Sequence, residues 1–137
     1  MDRDWGSGEN WQEAMTKGWI KRLASNAGRC EIAVLEGQTR PSFIEPSVAQ
    51  AGITHARIVL LDCTGPVRLV RLRDFRAQPE LANDRMDAWA AYLRSQAEAR
   101  GLRVLETSVT SVEAVADALE HEVSALRNAA AATWRIL

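Results

Sequence analysis

The sequence predicts an α/β fold, a three-layer sandwich in which helices cover both faces of a mainly parallel sheet. Short apolar runs alternate with segments of helical periodicity along the chain, at spacings too long for β-hairpins. Strands that are joined by helical crossovers in this way pair in parallel. The length of 137 residues predicts a single domain.

The N-terminal third predicts a helix, a strand and a second helix. Residues 9–25 have helical periodicity, because large apolar side chains recur every four residues and form one stripe. The run EIAVLE at 31–36 is followed at once by Gly37 and predicts a strand buried on both faces. Residues 44–51 predict a short helix. The stripe of the first helix consists of Trp11, Met15, Trp19 and Leu23.

The rest of the chain predicts two more strands, each followed by helix. RIVLLDC at 57–63 is the strongest strand pattern, and the next helix has Pro66 in its first turn, where a proline costs little. Helical periodicity returns at about 80–99, and RVLET at 103–107 predicts the last strand. Either of two serines can cap the final helix; they are Ser108 and Ser111.

Composition and charge exclude several classes of protein. The chain is 47% hydrophobic and 26% charged, as globular proteins are. A formal net charge of −1 argues against non-specific nucleic-acid binding, which depends on neutralising phosphates. No apolar run approaches the ~18 residues that span a bilayer, and the polar N-terminus is no secretory signal. Cys30 and Cys63 lie apart and predict free thiols. We therefore expect a cytoplasmic protein that binds neither nucleic acid nor membrane.

Ligands of parallel sheets bind at the carboxyl ends of the strands, and the first such end is rich in polar groups. Glu36 closes the run EIAVLE, and Gln38 and Arg40 follow within four residues. A carboxylate here can accept a proton from a substrate hydroxyl or hold a metal-bound water. The amide and the guanidinium suit a polar or anionic ligand. The alternative is a solvated turn between strand and helix.

Arginines dominate the segment after the second strand. Guanidinium groups bind phosphate oxygens bidentately and keep their charge, so this segment predicts a triphosphate-binding surface. The alternative is a solvated basic helix face that Asp74, Glu80 and Asp84 neutralise. The arginines are Arg68, Arg71, Arg73, Arg76 and Arg85.

Three further sets of polar residues have two interpretations each. Thr107 and Ser108 follow the last strand and either contact a nucleotide base or serve as a helix cap. Asp2 and Asp4 either position a hydroxyl nucleophile or belong to a frayed terminus. The two histidines have no partners at metal-ligand spacing, so no metal site of the protein's own is predicted.

In this order, the motifs resemble those of the small P-loop kinases of the shikimate, gluconate and adenylate kinase type, from Asp2 to about residue 127. The resemblance implies ATP and Mg²⁺ as cofactors and a small polar molecule as substrate. It assigns catalysis to Asp2, Asp4, Arg73 and Arg76, substrate binding to Glu36, Gln38 and Arg40, and nucleotide binding to Thr107 and Ser108.

One part of the family pattern is missing from the sequence. The phosphate loop GxxxxGK[ST], which cradles the phosphates, occurs nowhere in the chain, and the nearest glycine-rich stretch, WGSGE at 5–9, has no lysine. The strand that precedes this loop is the central one in the family. Three interpretations follow: a start downstream of the true one, a truncated relative that only binds, or a generic α/β architecture.

The resemblance predicts ATP-dependent phosphoryl transfer to a small polar molecule, in a truncated P-loop kinase-like domain that is weak or inactive as this chain. The alternative function is a non-catalytic binding or assembly module, as a homo-oligomer that completes its sheet across the interface.

Overall fold

The computed structural model describes residues 8–26 and 32–134. The chain divides into two compact units. The first comprises the described parts of Met1–Ala56 and Leu126–Leu137, and the second is Arg57–Ala125. The described chain combines helices with one two-stranded parallel sheet, so the predicted α/β class is confirmed. None of its helices is long and apolar enough to cross a membrane.

Two helices that pack against each other form the described core of the first unit. Helix α1 spans Gly8–Ser25, in agreement with the prediction. Helix α2 spans Pro41–Gln50 and begins three residues before the predicted start. Its proline lies in the first turn, where the missing N–H would have no helical partner.

The predicted apolar stripe of α1 is not its buried face. Met15 and Trp19 are 39% and 44% exposed, whereas the buried residues of the helix are Thr16 and Ile20. The reason is a polar contact, because the hydroxyl of Thr16 lies 2.7 Å from that of Thr39. This hydrogen bond turns the threonine side of the helix inward.

The strand predicted at 31–36 is wrong for the residues that the structure describes. Residues 32–40 have no regular secondary structure, and Val34 is 80% exposed. An apolar run becomes a strand only when a neighbour accepts and donates its backbone hydrogen bonds. The two strands of the described sheet pair with each other instead.

The second unit is a parallel pair of strands with a helical crossover. Strand β1 spans Val59–Asp62 and β2 spans Arg103–Glu106, both within the predicted runs. In register, Val59 lies opposite Arg103 and Asp62 opposite Glu106. The crossover consists of α3 (Gly65–Val70), a π turn (Arg71–Phe75), a 3₁₀ turn (Pro79–Leu81) and α4 (Asp84–Ala99). The final helix, α5, spans Val112–Trp134, and its residues up to Ala125 belong to this unit.

Helix α4 covers one face of the sheet. It packs against both strands, and the apolar residues along one side of the helix are half-buried; they are Met86, Trp89, Ala90 and Leu93. On the other face, Leu105 is 8% exposed while Leu61, its register partner, is 52% exposed. That face is therefore covered over β2 and largely open over β1.

Caps define where the helices of the second unit begin and end. Asn83 accepts a hydrogen bond from the Met86 amide and starts α4. Gly101, with φ of +65°, follows the end of the helix in a conformation that favours glycine. Of the two candidate serines, Ser111 caps α5 by accepting from the Ala114 amide at 3.1 Å.

Candidate functional site

Two carboxylates stand side by side where the parallel strands end. Asp62 and Glu106 are the last residues of β1 and β2 and lie opposite each other in register. Arg94 of α4 donates through Nη1 to Asp62 Oδ2 at 3.1 Å and to Glu106 Oε2 at 3.2 Å. Its Nε donates to Glu98 at 3.0 Å. Glu98, then Asp62 and Glu106, raise the pKa of Arg94 above its usual value.

The loop after β2 is tied to the end of β1. The Thr107 amide and hydroxyl both donate to the carbonyl of Asp62, at 2.8 and 3.0 Å. The Ser108 amide donates to Glu106 at 2.9 Å, and the Ser108 hydroxyl accepts from the Thr64 amide at 2.7 Å. Hydrogen bonds from the Ser108 side chain and amide, followed by Arg94, lower the pKa of Glu106. Thr107 and Ser108 therefore belong to a hydrogen-bonded group at the ends of the two strands. This strand-end cluster consists of Asp62, Thr64, Arg94, Glu106, Thr107 and Ser108.

Two arginines of the segment after β1 point into this cluster. Arg68 donates to Asp87 at 2.6 Å, to the Cys63 carbonyl at 2.8 Å and to Asp62 at 3.4 Å. Arg71 donates to Thr107 through both terminal nitrogens, at 2.7 Å to the hydroxyl and 2.7 Å to the carbonyl. Both guanidinium groups therefore have internal partners and link the helix to the strand ends.

The next two arginines of this segment, Arg73 and Arg76, point to solvent. Arg73 pairs with its neighbour Asp74, at 2.6 Å from Nε, and the two side chains are 54% and 46% exposed. This hydrogen bond lowers the pKa of Asp74. The side chain of Arg76 is exposed and makes no hydrogen bond or ion pair with the residues that the structure describes. The change from inward to outward occurs within the π turn, which contains both Arg71 and Arg73, and single π turns inside helices are frequent at functional sites.

The predicted substrate residues lie in the first unit, where α1 holds one of them. Arg40 donates to the side-chain oxygen of Gln12 at 2.5 Å, and its guanidinium lies 5.4 Å from the centre of the Phe43 ring. The Gln12 amide donates to the Gln38 carbonyl at 3.1 Å. Glu36 and the Gln38 side chain are exposed. Gln38 and Arg40 are therefore connected through the side chain of Gln12.

Some predicted residues lie elsewhere, and some site residues were missed. Asp2 and Asp4 fall outside the described residues. Arg85 is exposed at the start of α4. Sequence reasoning missed Asp62, Arg94 and Glu106, which hold the cluster together. One signal was present, because each strand ends on an acidic residue, Asp62 or Glu106.

An open groove of about 490 Å³ lies at the opposite end of β2. It is lined by Arg103, the first residue of that strand, and by α5 residues that include Asp117 and His121. The His121 ring already faces the Asp117 carbonyl at 2.7 Å. Ligands of parallel sheets bind at the carboxyl ends of the strands, so the cluster is the better candidate site.

The two strand-end carboxylates already share one guanidinium group, since Arg94 forms ion pairs with both Asp62 and Glu106. Across residues 8–26 and 32–134, no group of three or more histidine, cysteine, aspartate or glutamate side chains is arranged to hold a metal.

Comparison with known proteins leaves the family of this chain undecided. No protein-family model matches the sequence, and no significant match occurs among the curated proteins or among the solved structures.

Proposed function

We propose that the protein takes part in ATP-dependent phosphoryl transfer to a small polar molecule, and that this chain alone is weakly active or inactive. The observation that carries the proposal is the division of the arginine segment. Arg68 and Arg71 anchor it to the strand ends, while Arg73 and Arg76 remain turned to solvent. An anchored backbone that carries solvent-facing guanidinium groups supports the proposal, because a transferring phosphoryl group is bound by positioned positive charge.

Each predicted residue has one role in this proposal. Arg73 and Arg76 bind oxygens of the transferring phosphoryl group and offset its charge. Asp2 or Asp4 orients the acceptor hydroxyl. When bound, Mg-ATP supplies the phosphoryl group and screens its charge. The remaining residues bind the acceptor (Glu36, Gln38 and Arg40) or lie against the base (Thr107 and Ser108).

The low activity follows from the sequence. No GxxxxGK[ST] loop occurs in the chain, so no backbone cradle of that kind grips the β- and γ-phosphates. The chain would act in the cytoplasm, where ATP is abundant.

The finer fold belongs to the same proposal. We infer that β1 and β2 are the outer pair of a larger three-layer sheet of the P-loop kinase type. Their parallel pairing and helical crossover support this. The exposure of Leu61 supports it as well. An apolar strand residue that faces solvent is typical of a sheet whose face and edge are covered by further strands and helices.

Thermal unfolding with Mg-ATP tests the proposed function. A hundredfold excess over Kd stabilises a protein by about 2.7 kcal/mol, so a clear rise in Tm is expected. Arg76→Ala should reduce this rise, because it removes a free guanidinium group. Arg103→Ala is the matched control, since Arg103 is an exposed arginine of the same unit at the opposite end of β2. If millimolar Mg-ATP leaves the Tm of the unaltered chain unchanged, the proposal fails.

Exposed apolar side chains favour a second candidate, a non-catalytic module that assembles as a homo-oligomer. Phe75, Val109 and Val112 are each more than four-fifths exposed, and Leu61 is half-exposed on an open sheet face. Exposed apolar surface of this kind marks interaction sites. Light scattering after size exclusion decides between the candidates: the module is a dimer that ignores nucleotide, and the kinase-like chain responds to Mg-ATP.

A further inference from the structure

The two strand-end carboxylates are close enough to repel each other. Neighbouring parallel strands lie about 4.8 Å apart, and Asp62 and Glu106 occupy opposed positions with side chains on the same face. Negative charges this close repel each other, and a cation placed between them offsets the repulsion. The Nη1 atom of Arg94 does so, within 3.2 Å of both.

Each carboxylate holds a different part of the candidate site. Asp62 accepts from Arg68, at the start of the arginine segment. Glu106 accepts from the Ser108 amide, in the loop that Arg71 also contacts through Thr107. The segment and the loop are therefore connected through one pair of carboxylates, and Arg94 of α4 is the cation that contacts both of them.

We propose that Arg94 is the positioning residue of the strand-end cluster, whose guanidinium group bridges Asp62 and Glu106 and so keeps both the arginine segment and the loop Thr107–Ser108 in place. For the ligand that this arrangement serves, the inference rests on the proposed phosphoryl transfer. Arg94 itself is aimed at the carboxylates and acts through them. It is therefore distinct from Arg73 and Arg76, which face solvent.

The third partner of Arg94 provides an internal control. Glu98 lies one helical turn further along α4, is 62% exposed and makes no hydrogen bond to the strand ends. Arg94→Met removes the cation from all three carboxylates, whereas Glu98→Gln alters only the solvent-facing pair. Glu106→Gln keeps an oxygen that accepts from the Ser108 amide and removes the negative charge.

Amide hydrogen exchange of Ser108 and Thr64 tests the proposal in the full chain. Arg94→Met should speed exchange at both amides by about tenfold, since opening of a local hydrogen bond is what exchange reports, while Glu98→Gln should leave both unchanged. Glu106→Gln in the Arg94→Met background should restore most of the lost protection, because like-charge repulsion is gone. Arg94→Lys, which keeps a positive charge, should retain more protection than Arg94→Met.

The outcomes separate this inference from the proposed function. If Arg94→Met does not alter exchange, or if Glu106→Gln worsens it further in that background, Arg94 is not the positioning residue. If Arg94→Met does not fold, folding of the double variant supports the inference and its failure overturns it. If the variants exchange at the expected rates but Mg-ATP does not raise the Tm of the unaltered chain, the kinase-like function is refuted and the role of Arg94 stands.

Discussion

Replacing Ala77 by glycine should stabilise the second unit. Ala77 has a φ of +51° and is the only non-glycine residue with positive φ in the part of the chain that the structure describes. It follows the π turn, and on either side of it the Gln78 amide donates to the Leu72 carbonyl at 2.8 Å and the Arg76 amide to the Arg71 carbonyl at 3.0 Å. These hydrogen bonds keep the alanine in a conformation that its Cβ disfavours.

The size of the effect follows from two opposing terms. A left-handed conformation costs an L-residue roughly 1–2 kcal/mol, which glycine avoids. Glycine loses more conformational entropy on folding, which costs roughly 0.5–1 kcal/mol relative to alanine. Ala77→Gly should therefore stabilise by about 0.5–1 kcal/mol, or about 2–4 °C in Tm for a domain of this size.

The matched control is the reverse change at Gly101. Its φ is +65°, and a Cβ built there meets no atom within 4 Å, so only backbone strain opposes alanine. Gly101→Ala should lower stability by about 0.5–1 kcal/mol. Urea denaturation followed by circular dichroism measures both variants, which lie in the same unit. If both changes raise the stability, if both lower it, or if Ala77→Gly alone lowers it, the reasoning is refuted.

Three further changes have defined outcomes. Ser111→Ala should destabilise α5 by about 1 kcal/mol in urea denaturation, since it removes the acceptor of the Ala114 amide; no change would show that the cap contributes nothing. Thr16→Val should cost about 1 kcal/mol because the Thr39 hydroxyl loses its partner, and the double change with Thr39→Val should recover part of that loss. The pKa of Glu106 is lower in the folded chain, so its contribution is present above the unfolded pKa and is lost as pH falls through the folded one. Glu106→Gln should flatten the acid loss of stability below about pH 5, and an unchanged slope would contradict the assignment.

Helices and the parallel pair were predictable because their signals are local. Pro66 starts α3 and Gly101 follows the end of α4 through backbone preferences that hold in any surroundings. The apolar runs at 57–63 and 103–107 contain both strands. The run at 31–36 has the same local pattern and forms no strand, because strand formation depends on a neighbour that the pattern does not specify.

The candidate site was predictable only in part. The position of Thr107 and Ser108 after a strand, and the arginines after β1, followed from order along the chain. Which arginines bind internally and which face solvent did not, because Arg68 and Arg73 look alike in a sequence. Arg94 was missed, since its partners lie 12 and 32 residues away.

By itself, the sequence determined the α/β class, the approximate positions of the described helices, and the absence of a GxxxxGK[ST] loop. These are properties of single residues and short spacings. Only the tertiary structure decided that Asp62 lies beside Glu106 and that Arg94 pairs with both. The physical reason is that charge pairing depends on distance in space, which the register of the parallel strands sets and which spacing along the chain does not encode.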